Sequence, residues 1–363
     1  MKDFTFGFVG LGLIGGSIAK ALKLANPSHT IIAYDISRDA LKLAEKERIA
    51  DICLTEITEV FGTCDYIFLC APVIYNEENL LLIKSNLKPG CILTDVGSVK
   101  TSIHEKIKSL GLSKQFIGGH PMTGSERTGF LNSKASLLEN AYYILTPGEL
   151  VPADKVRIFS EIIISIKALP LILDYKEHDY ITAAISHVPH IIAYTLVDLV
   201  KSHDNPEQIM RTLAAGGFKD ITRIASSSPV MWQQICVNNQ DNIVSLLDSY
   251  ILSLQDVKKR ILENDNNWLF EYFDKARTYR DSFIDASPGP VKKVFSIHLD
   301  IPDKAGALAT IATLLAGKNI NIKNIGIVHN REAEDGVLKI EFYDDAAVDE
   351  AKLLLREQNY TVH

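Results

Sequence analysis

Apolar and polar positions alternate between two textures over the first half of the chain. Short apolar runs recur at Phe4–Val9, Thr30–Tyr34, Tyr66–Ala71, Cys91–Val96, Phe116–Pro121, Tyr142–Thr146 and Ala168–Leu173. Runs of that length, apolar on successive residues, predict strands buried on both faces. Between them lie stretches of helical period, such as Ser17–Leu22 and Arg38–Lys46, the latter with Leu41 and Ala44 turned inward. Strands separated by helices predict an α/β fold, a doubly wound and mostly parallel sheet of Rossmann type.

The texture changes near residue 174. From Tyr175 to Ser282 the period is helical throughout, and Ile191–Val200 and Ile243–Leu252 are apolar over most of their circumference. Helices of that kind must be covered on most sides, which predicts a second copy of the chain interlocked here as an obligate homodimer. Ser287-Pro288-Gly289-Pro290 reads as a linker. Beyond it the pattern is strand, helix, strand, strand, helix, strand, a small α+β unit of ferredoxin-like plan. The expected domains are therefore residues 1–173, 174–286 and 294–363, joined across 287–293.

Composition narrows the function classes. Lys+Arg 38 against Asp+Glu 45 gives a net charge of −7, and no basic block stands out, which argues against nucleic acid. No uninterrupted apolar run reaches membrane-spanning length. Met1-Lys2-Asp3 leads straight into the first strand, so no signal peptide is expected. Five cysteines, an odd number without a CxxC pair, predict reduced thiols, no metal site and a cytoplasmic setting.

The first strand runs directly into Gly10-Leu11-Gly12-Leu13-Ile14-Gly15, and a helix follows. One glycine permits a tight turn, one lets a diphosphate approach the main chain, and one lets helix and strand pack closely. The helix N-terminus then offers N–H groups and a positive dipole end to the anion. Gly10, Gly12, Leu13, Ile14 and Gly15 are the candidate cofactor loop. Asp35 ends the second strand about twenty residues on, where a carboxylate accepts from ribose hydroxyls and repels a 2′-phosphate, favouring NAD. Asp35 read without a ligand is a turn or N-cap residue. Arg38 stands three residues later, where a guanidinium meets a 2′-phosphate, so NADP stays open.

In such a sheet, ligands lie beyond the carboxyl ends of the strands. Ser98 and His120 fall at two of those ends. Loss of hydride from a carbinol carbon goes with loss of the hydroxyl proton, which an imidazole accepts at neutral pH. His120 read plainly caps a turn. Ser98 either hydrogen-bonds the same hydroxyl, orients His120, or N-caps the helix that follows. His187 and His190 share a helical face without an evident third ligand, so substrate contact is favoured over a metal. Arg223 suits a carboxylate, its alternative being an ion pair with Asp220.

Four segments in this order resemble prephenate dehydrogenases carrying a C-terminal ACT domain: Gly10–Ser17, Asp95–Lys100, Gly119–Met122 with Gly124-Ser125-Glu126, and Ser186–His190 followed by Gly217–Arg223. The resemblance implies NAD-dependent oxidative decarboxylation of prephenate to 4-hydroxyphenylpyruvate in tyrosine biosynthesis. It implies that His120 is the catalytic histidine, Ser98 its assistant, and Arg223 a substrate carboxylate clamp. His190, with His187, is implied to recognise substrate, Trp232 and Gly216 to reach the site from a partner subunit, and Glu126 to gate entry. In the tail, Asp300–Leu308 resembles the ACT turn from first strand to first helix, and Asn321–Ile325 an ACT edge strand. L-tyrosine is thereby expected to bind around Asp303, Gly306 and Asn324 as a feedback inhibitor. Rival readings are an arogenate dehydrogenase, a 3-hydroxyacid dehydrogenase (for which the expected lysine segment is not found), and a nucleotide- and amino-acid-binding sensor without turnover.

Overall fold

The computed structural model describes residues 2–71, 73–124, 127–285, 295–301, 304, 306–328, 336–358 and 360–362. The chain divides into two compact units, Met1–Ala276 and Arg277–His363.

The first unit opens on a five-stranded parallel sheet in the order β3-β2-β1-β4-β5. Its strands are β1 (Thr5–Val9), β2 (Thr30–Tyr34), β3 (Ile52–Leu54), β4 (Tyr66–Leu69) and β5 (Ile92–Asp95). Helices α1 (Leu13–Ala25), α2 (Arg38–Lys46) and α3 (Val73–Lys84) make the connections. Alternate residues serve opposite faces, as the pleat requires. Phe6, Phe8, Ile31, Ala33 and Phe68 enter one core with Ile18 and Leu22 of α1, while Val9, Ile32, Ile67 and Leu69 enter the other with Phe61 and Ile83. Phe8 and Phe68 stack across neighbouring strands, ring centres 5.0 Å apart.

Helix α4 (Thr101–Ser109) leads to β6 (Ile117–Pro121), which continues the parallel direction through a bridge between Leu93 and Phe116. Here the structure departs from a simple doubly wound plan. Strand β7 (Tyr142–Pro147) runs antiparallel to β6, and β8 (Leu169–Ile172), reached through α5 (Ala153–Ser165), is parallel to β7. Among its described residues, the segment between β6 and β7 holds only short 3₁₀ turns, Phe130–Asn132 and Ala135–Leu138. Without a crossover helix, β7 must return antiparallel.

The rest of this unit is helical: α6 (Tyr175–Thr182), a π-helical turn (Ala183–His187), α7 (Val188–His203), α8 (Ile209–Leu213), α9 (Gly216–Thr222), a 3₁₀ turn (Arg223–Ser226), α10 (Pro229–Asn238), α11 (Gln240–Leu262) and the start of α12 (Asn266–Asp285). The sheet and these helices share one unit because Asp179 of α6 bonds the backbone where α4 begins. The continuous run Tyr175–His203 is 29 residues, long and apolar enough by length and composition to cross a membrane. Reading only uninterrupted apolar runs did not reveal it. Its buried groups include His178, Asp179, Thr182 and His187, all hydrogen-bonded within the chain. Many apolar side chains of the helical segment are exposed, Ile185, Leu213, Val237, Leu252 and Leu262 among them.

The second unit has its own core of Ile297, Leu299, Ile311, Leu315, Leu338, Ile340 and Leu355. Strands β9 (Phe295–Ile301), β10 (Asn324–Val328) and β11 (Gly336–Phe342) form an antiparallel sheet in the order β10-β11-β9, with α13 (Ala307–Gly317) and α14 (Asp345–Glu357). Val362 bridges Leu299, completing the βαββαβ order. The expected linker 287–293 lies outside the described residues.

Candidate active site

Three segments of the first unit meet beyond the carboxyl ends of β1, β4, β5 and β6. The first is the glycine loop. Gly10 has φ +99, and a β-carbon there would lie 2.8 Å from the Ala71 nitrogen. One at Gly15 would lie 2.5 Å from the Gly10 carbonyl oxygen. One at Gly12 would meet nothing within 4 Å. The fold itself thus requires the outer two glycines, whereas Gly12 fronts open space. It also caps α1 without any side chain, so the first N–H groups of the helix face that space, flanked by half-buried Leu13 and Ile14.

Asp35 braces this loop. One carboxylate oxygen accepts from the Leu11 N–H at 2.6 Å and the other from the Ser37 N–H at 2.7 Å. Each keeps a lone pair for a further donor. Asp35 is not the N-cap of α2. Ser37 is, its hydroxyl accepting from the Ala40 N–H at 3.2 Å. Arg38 is the first residue of α2 and is exposed.

The second segment is the rim of β5 and β6. Asp95 accepts from the N–H groups of Gly97 at 3.0 Å and Gly119 at 3.2 Å, and pairs with Lys100, which is wholly buried. A β-carbon at Gly119 would lie 2.6 Å from the Asp95 carbonyl oxygen. That close approach seats the next residue, half-buried His120, at the rim. His120 Nδ1 lies 2.8 Å from His178 Nε2, and His178 Nδ1 lies 2.8 Å from Asp179 Oδ1. His178 and Asp179 are both fully buried. Asp179 also accepts from the backbone N–H groups of Lys100 at 2.7 Å and Thr101 at 2.8 Å. It therefore satisfies the start of α4. Ser98, which precedes that helix by three residues, does not cap it; the side chain is half-buried without a hydrogen bond among the described residues.

Burial holds the His120 imidazole well below its ordinary pKa, and the nearby Lys100 charge further opposes a cation there. For Asp179, burial favours the neutral acid, but hydrogen bonds from His178, Thr101 and Lys100 outweigh it and leave the group below the usual carboxylate value. The rim thus combines a neutral imidazole with a buried carboxylate one ring behind it.

The third segment comes from the helices. Pro189 sits at the start of α7, just after the π-turn, and this places His187 inward and His190 one turn on. His187 Nδ1 is 3.1 Å from the Asn239 amide nitrogen, and burial lowers its pKa to about 4. His190 Nδ1 meets the Ser186 carbonyl at 3.0 Å, and its ring stacks on Trp232 at 3.7 Å between centres. Burial first, and then the Arg223 charge, lower the His190 pKa against the Ser186 hydrogen bond. Trp232 packs within its own chain against His190 and Val99. Arg223 is exposed at the head of its 3₁₀ turn, which Tyr194 secures by donating to the Ser227 carbonyl at 3.0 Å. Gly216 begins α9 in open space. Glu126 lies outside the described residues, as does Asp303. Gly306, φ +88, caps α13, and exposed Asn324 opens β10, an edge strand. Among the described residues no group of three or more His, Cys, Asp or Glu is placed to hold a metal.

The sequence reading passed over His178, Asp179 and Asn239. One signal was present. The buried stripe of α6 is His178, Asp179 and Thr182, so the inward face of this helix is polar, which a purely structural helix would not be.

A parallel sheet with this glycine loop, followed by a helical segment, defines a Rossmann-type nucleotide-binding protein. Residues 18–170 match the domain described as prephenate dehydrogenase, nucleotide-binding domain, and residues 174–275 match prephenate dehydrogenase, dimerization domain. The chain belongs to the prephenate dehydrogenase family. It is 37% identical over 354 residues to a prephenate dehydrogenase of Bacillus subtilis, covering 95% of this chain and 93% of that one. Among solved structures it resembles the prephenate dehydrogenase of A. aeolicus in complex with hydroxyphenyl propionate and NAD+, at TM-score 0.73 and 30% identity, covering 78% of this chain and 99% of that one. It also resembles Synechocystis arogenate dehydrogenase, at TM-score 0.70 and 27% identity, covering 77% and 99%.

Proposed function

We propose that this protein is an NAD-dependent prephenate dehydrogenase, which converts prephenate to 4-hydroxyphenylpyruvate and carbon dioxide. The observation that carries the reading is an imidazole, His120, its Nδ1 held 2.8 Å from His178 Nε2, on the sheet rim beside a glycine loop that leaves room at Gly12. That space, with the helix N-terminus behind it and Asp35 beside it, fits a dinucleotide. When bound, NAD supplies the hydride acceptor.

The residues of the chain do the rest. The N–H groups of α1 hold the diphosphate and Asp35 the adenosine ribose, with Leu13 and Ile14 lining the approach. His120 Nε2 accepts the proton of the ring hydroxyl as hydride leaves the same carbon. Carbon dioxide leaves the opposite ring carbon, the ring becomes aromatic and His120 returns the proton to the phenolate oxygen, so the site needs chiefly to orient and polarise. Arg223 binds a prephenate carboxylate bidentately. His190, held against Trp232, and His187 recognise the substrate, Ser98 hydrogen-bonds the hydroxyl, Gly216 borders the site and Glu126 gates it. Arg38 stays outside an NAD-filled site.

The exposed apolar side chains of the helical segment support a homodimer covering them. The βαββαβ order and the Gly306 turn support an ACT domain over residues 294–363, binding L-tyrosine at Asp303, Gly306 and Asn324 as inhibitor. The change to helices after β8 supports domain bounds of 1–173 and 174–286, and five free thiols suit the cytoplasm.

The test is absorbance at 340 nm on adding prephenate and NAD. A kcat/KM for prephenate above that for arogenate supports the assignment. The reverse order makes this an arogenate dehydrogenase, and no NADH from either refutes both.

A further inference from the structure

We propose that His178 and Asp179 fix the tautomer of His120, and so decide that a bare nitrogen, not an N–H, faces the substrate hydroxyl. This rests on the reading that His120 receives the hydroxyl proton.

The assignment follows from the three groups in turn. Asp179 is a carboxylate engaged by two backbone N–H groups at 2.7 and 2.8 Å and by His178 Nδ1 at 2.8 Å. A carboxylate only accepts, so His178 Nδ1 carries a hydrogen. In a neutral ring the other nitrogen is then bare, so His178 Nε2 is an acceptor. His120 Nδ1 lies 2.8 Å from it and must carry the hydrogen of that bond. A neutral His120 is thereby left with its lone pair on Nε2, which has no partner among the described residues. Free imidazole side chains in water favour the opposite tautomer, with the hydrogen on Nε2. Left alone, His120 would present a donor where the reaction needs a base.

The same chain serves the step itself. The hydroxyl proton goes to His120 Nε2 as the C–H bond gives up its electron pair as hydride, for which a bound NAD would be the acceptor; the bonding pair left by carbon dioxide then enters the ring, and Nε2 returns the proton to the resulting phenolate oxygen, so no other reagent is required. The His120 cation keeps its Nδ1–H bond to His178, with the Asp179 anion on the far side. Among the described residues the remaining ionisable neighbours are Lys100, His187 and Asp95. Lys100 opposes a cation at His120 and Asp95 offsets it through their ion pair, while His187, its pKa lowered to about 4 by burial, is neutral and adds no charge. His178 and Asp179 touch neither substrate nor cofactor in this scheme; they are positioning residues.

The test uses full-length protein with ¹⁵N-labelled histidine, its His120 signals assigned by difference from His120→Asn. Long-range ¹⁵N–¹H spectra distinguish protonated from bare ring nitrogens. The expected spectrum shows His120 protonated at Nδ1 and bare at Nε2. In His178→Leu, which has no acceptor, His120 should revert to Nε2–H. In His178→Gln the amide oxygen can take the same hydrogen and should preserve Nδ1–H. In parallel, kcat for prephenate should fall about 10- to 100-fold in His178→Leu, a share of the 10²–10⁴ that a general base contributes. KM values for prephenate and NAD should stay within about twofold, and His178→Gln should recover most of the loss. A wild-type spectrum with His120 as Nε2–H overturns the proposal whether or not any variant folds. So does a folded His178→Leu enzyme with wild-type kcat. Protein with the expected tautomer but no prephenate turnover would uphold the relay and refute the functional reading. Turnover with the opposite tautomer would do the reverse.

Discussion

Gly12 and Gly15 stand three residues apart in one loop, yet alanine at each should fail for opposite reasons. At Gly15 the new methyl would lie 2.5 Å from the Gly10 carbonyl oxygen and 2.9 Å from Cys70 Cβ, neither at the end of a flexible side chain. Overpacking of that kind costs about 1–3 kcal/mol. For a unit of this size that lowers Tm by roughly 2–10 °C. At Gly12 the methyl meets nothing within 4 Å, and φ −76, ψ −156 is extended backbone that alanine tolerates. Gly12→Ala should therefore fold normally, with a gain of about 0.4–1 kcal/mol from a less flexible unfolded chain. Its defect should be in NAD binding, where the methyl takes up the diphosphate's space and displaces at least one charge-assisted hydrogen bond of about 1.5–3 kcal/mol. That weakens Kd about 10- to 100-fold. Thermal melts without nucleotide, paired with calorimetric NAD titrations, measure both effects. Gly12→Ala binding NAD as wild type does would show that the diphosphate does not sit there. Gly15→Ala with an unchanged Tm would refute the packing argument.

Other consequences are testable separately. Asp35→Ser should reduce the preference for NAD over NADP in kcat/KM by about tenfold or more, because the repulsion of a 2′-phosphate is gone; an unchanged ratio would remove Asp35 from cofactor choice. Burial lowers the pKa of His104 and of His187 to about 4. An unfolded histidine near 6.5 takes up its proton first, so this contribution to stability is complete above about pH 6.5, declines as pH falls, and levels off below about 4. Each residue should cost about 2 kcal/mol by pH 5, visible as a lower urea midpoint; equal midpoints at pH 7 and pH 5 would contradict it. Deleting residues 291–363 should keep activity and abolish tyrosine inhibition, and a truncated enzyme still inhibited would move tyrosine to the active site.

The elements that carry a strong local signal were legible in the sequence. The β1 run ends on Gly10 and the β2 run ends on Asp35, so loop and acid could be read from where apolar residues stop. β3 was missed because three residues cannot show a period. Helix α1 begins at Leu13, four residues before its apolar period is evident, since Gly15 and Gly16 are poor helix formers kept for close packing. The reversal of β7 was illegible because it depends on what the connecting segment lacks. At the site, His120 was found from its place after a strand. Its relay was not, because His178 lies 58 residues away in sequence and the two rings meet only once α6 packs on the sheet. The cap of α4 shows the same limit. Ser98 is the local candidate, and Asp179, 78 residues from Thr101, takes the role.

The central claim is that the His120 imidazole removes the hydroxyl proton as NAD takes hydride. Stopped-flow measurement of NADH formation by His120→Asn, at saturating prephenate and NAD, tests it most directly. The account predicts a rate lower by about 10²–10⁴ with NAD affinity unchanged; a rate equal to wild type would contradict it.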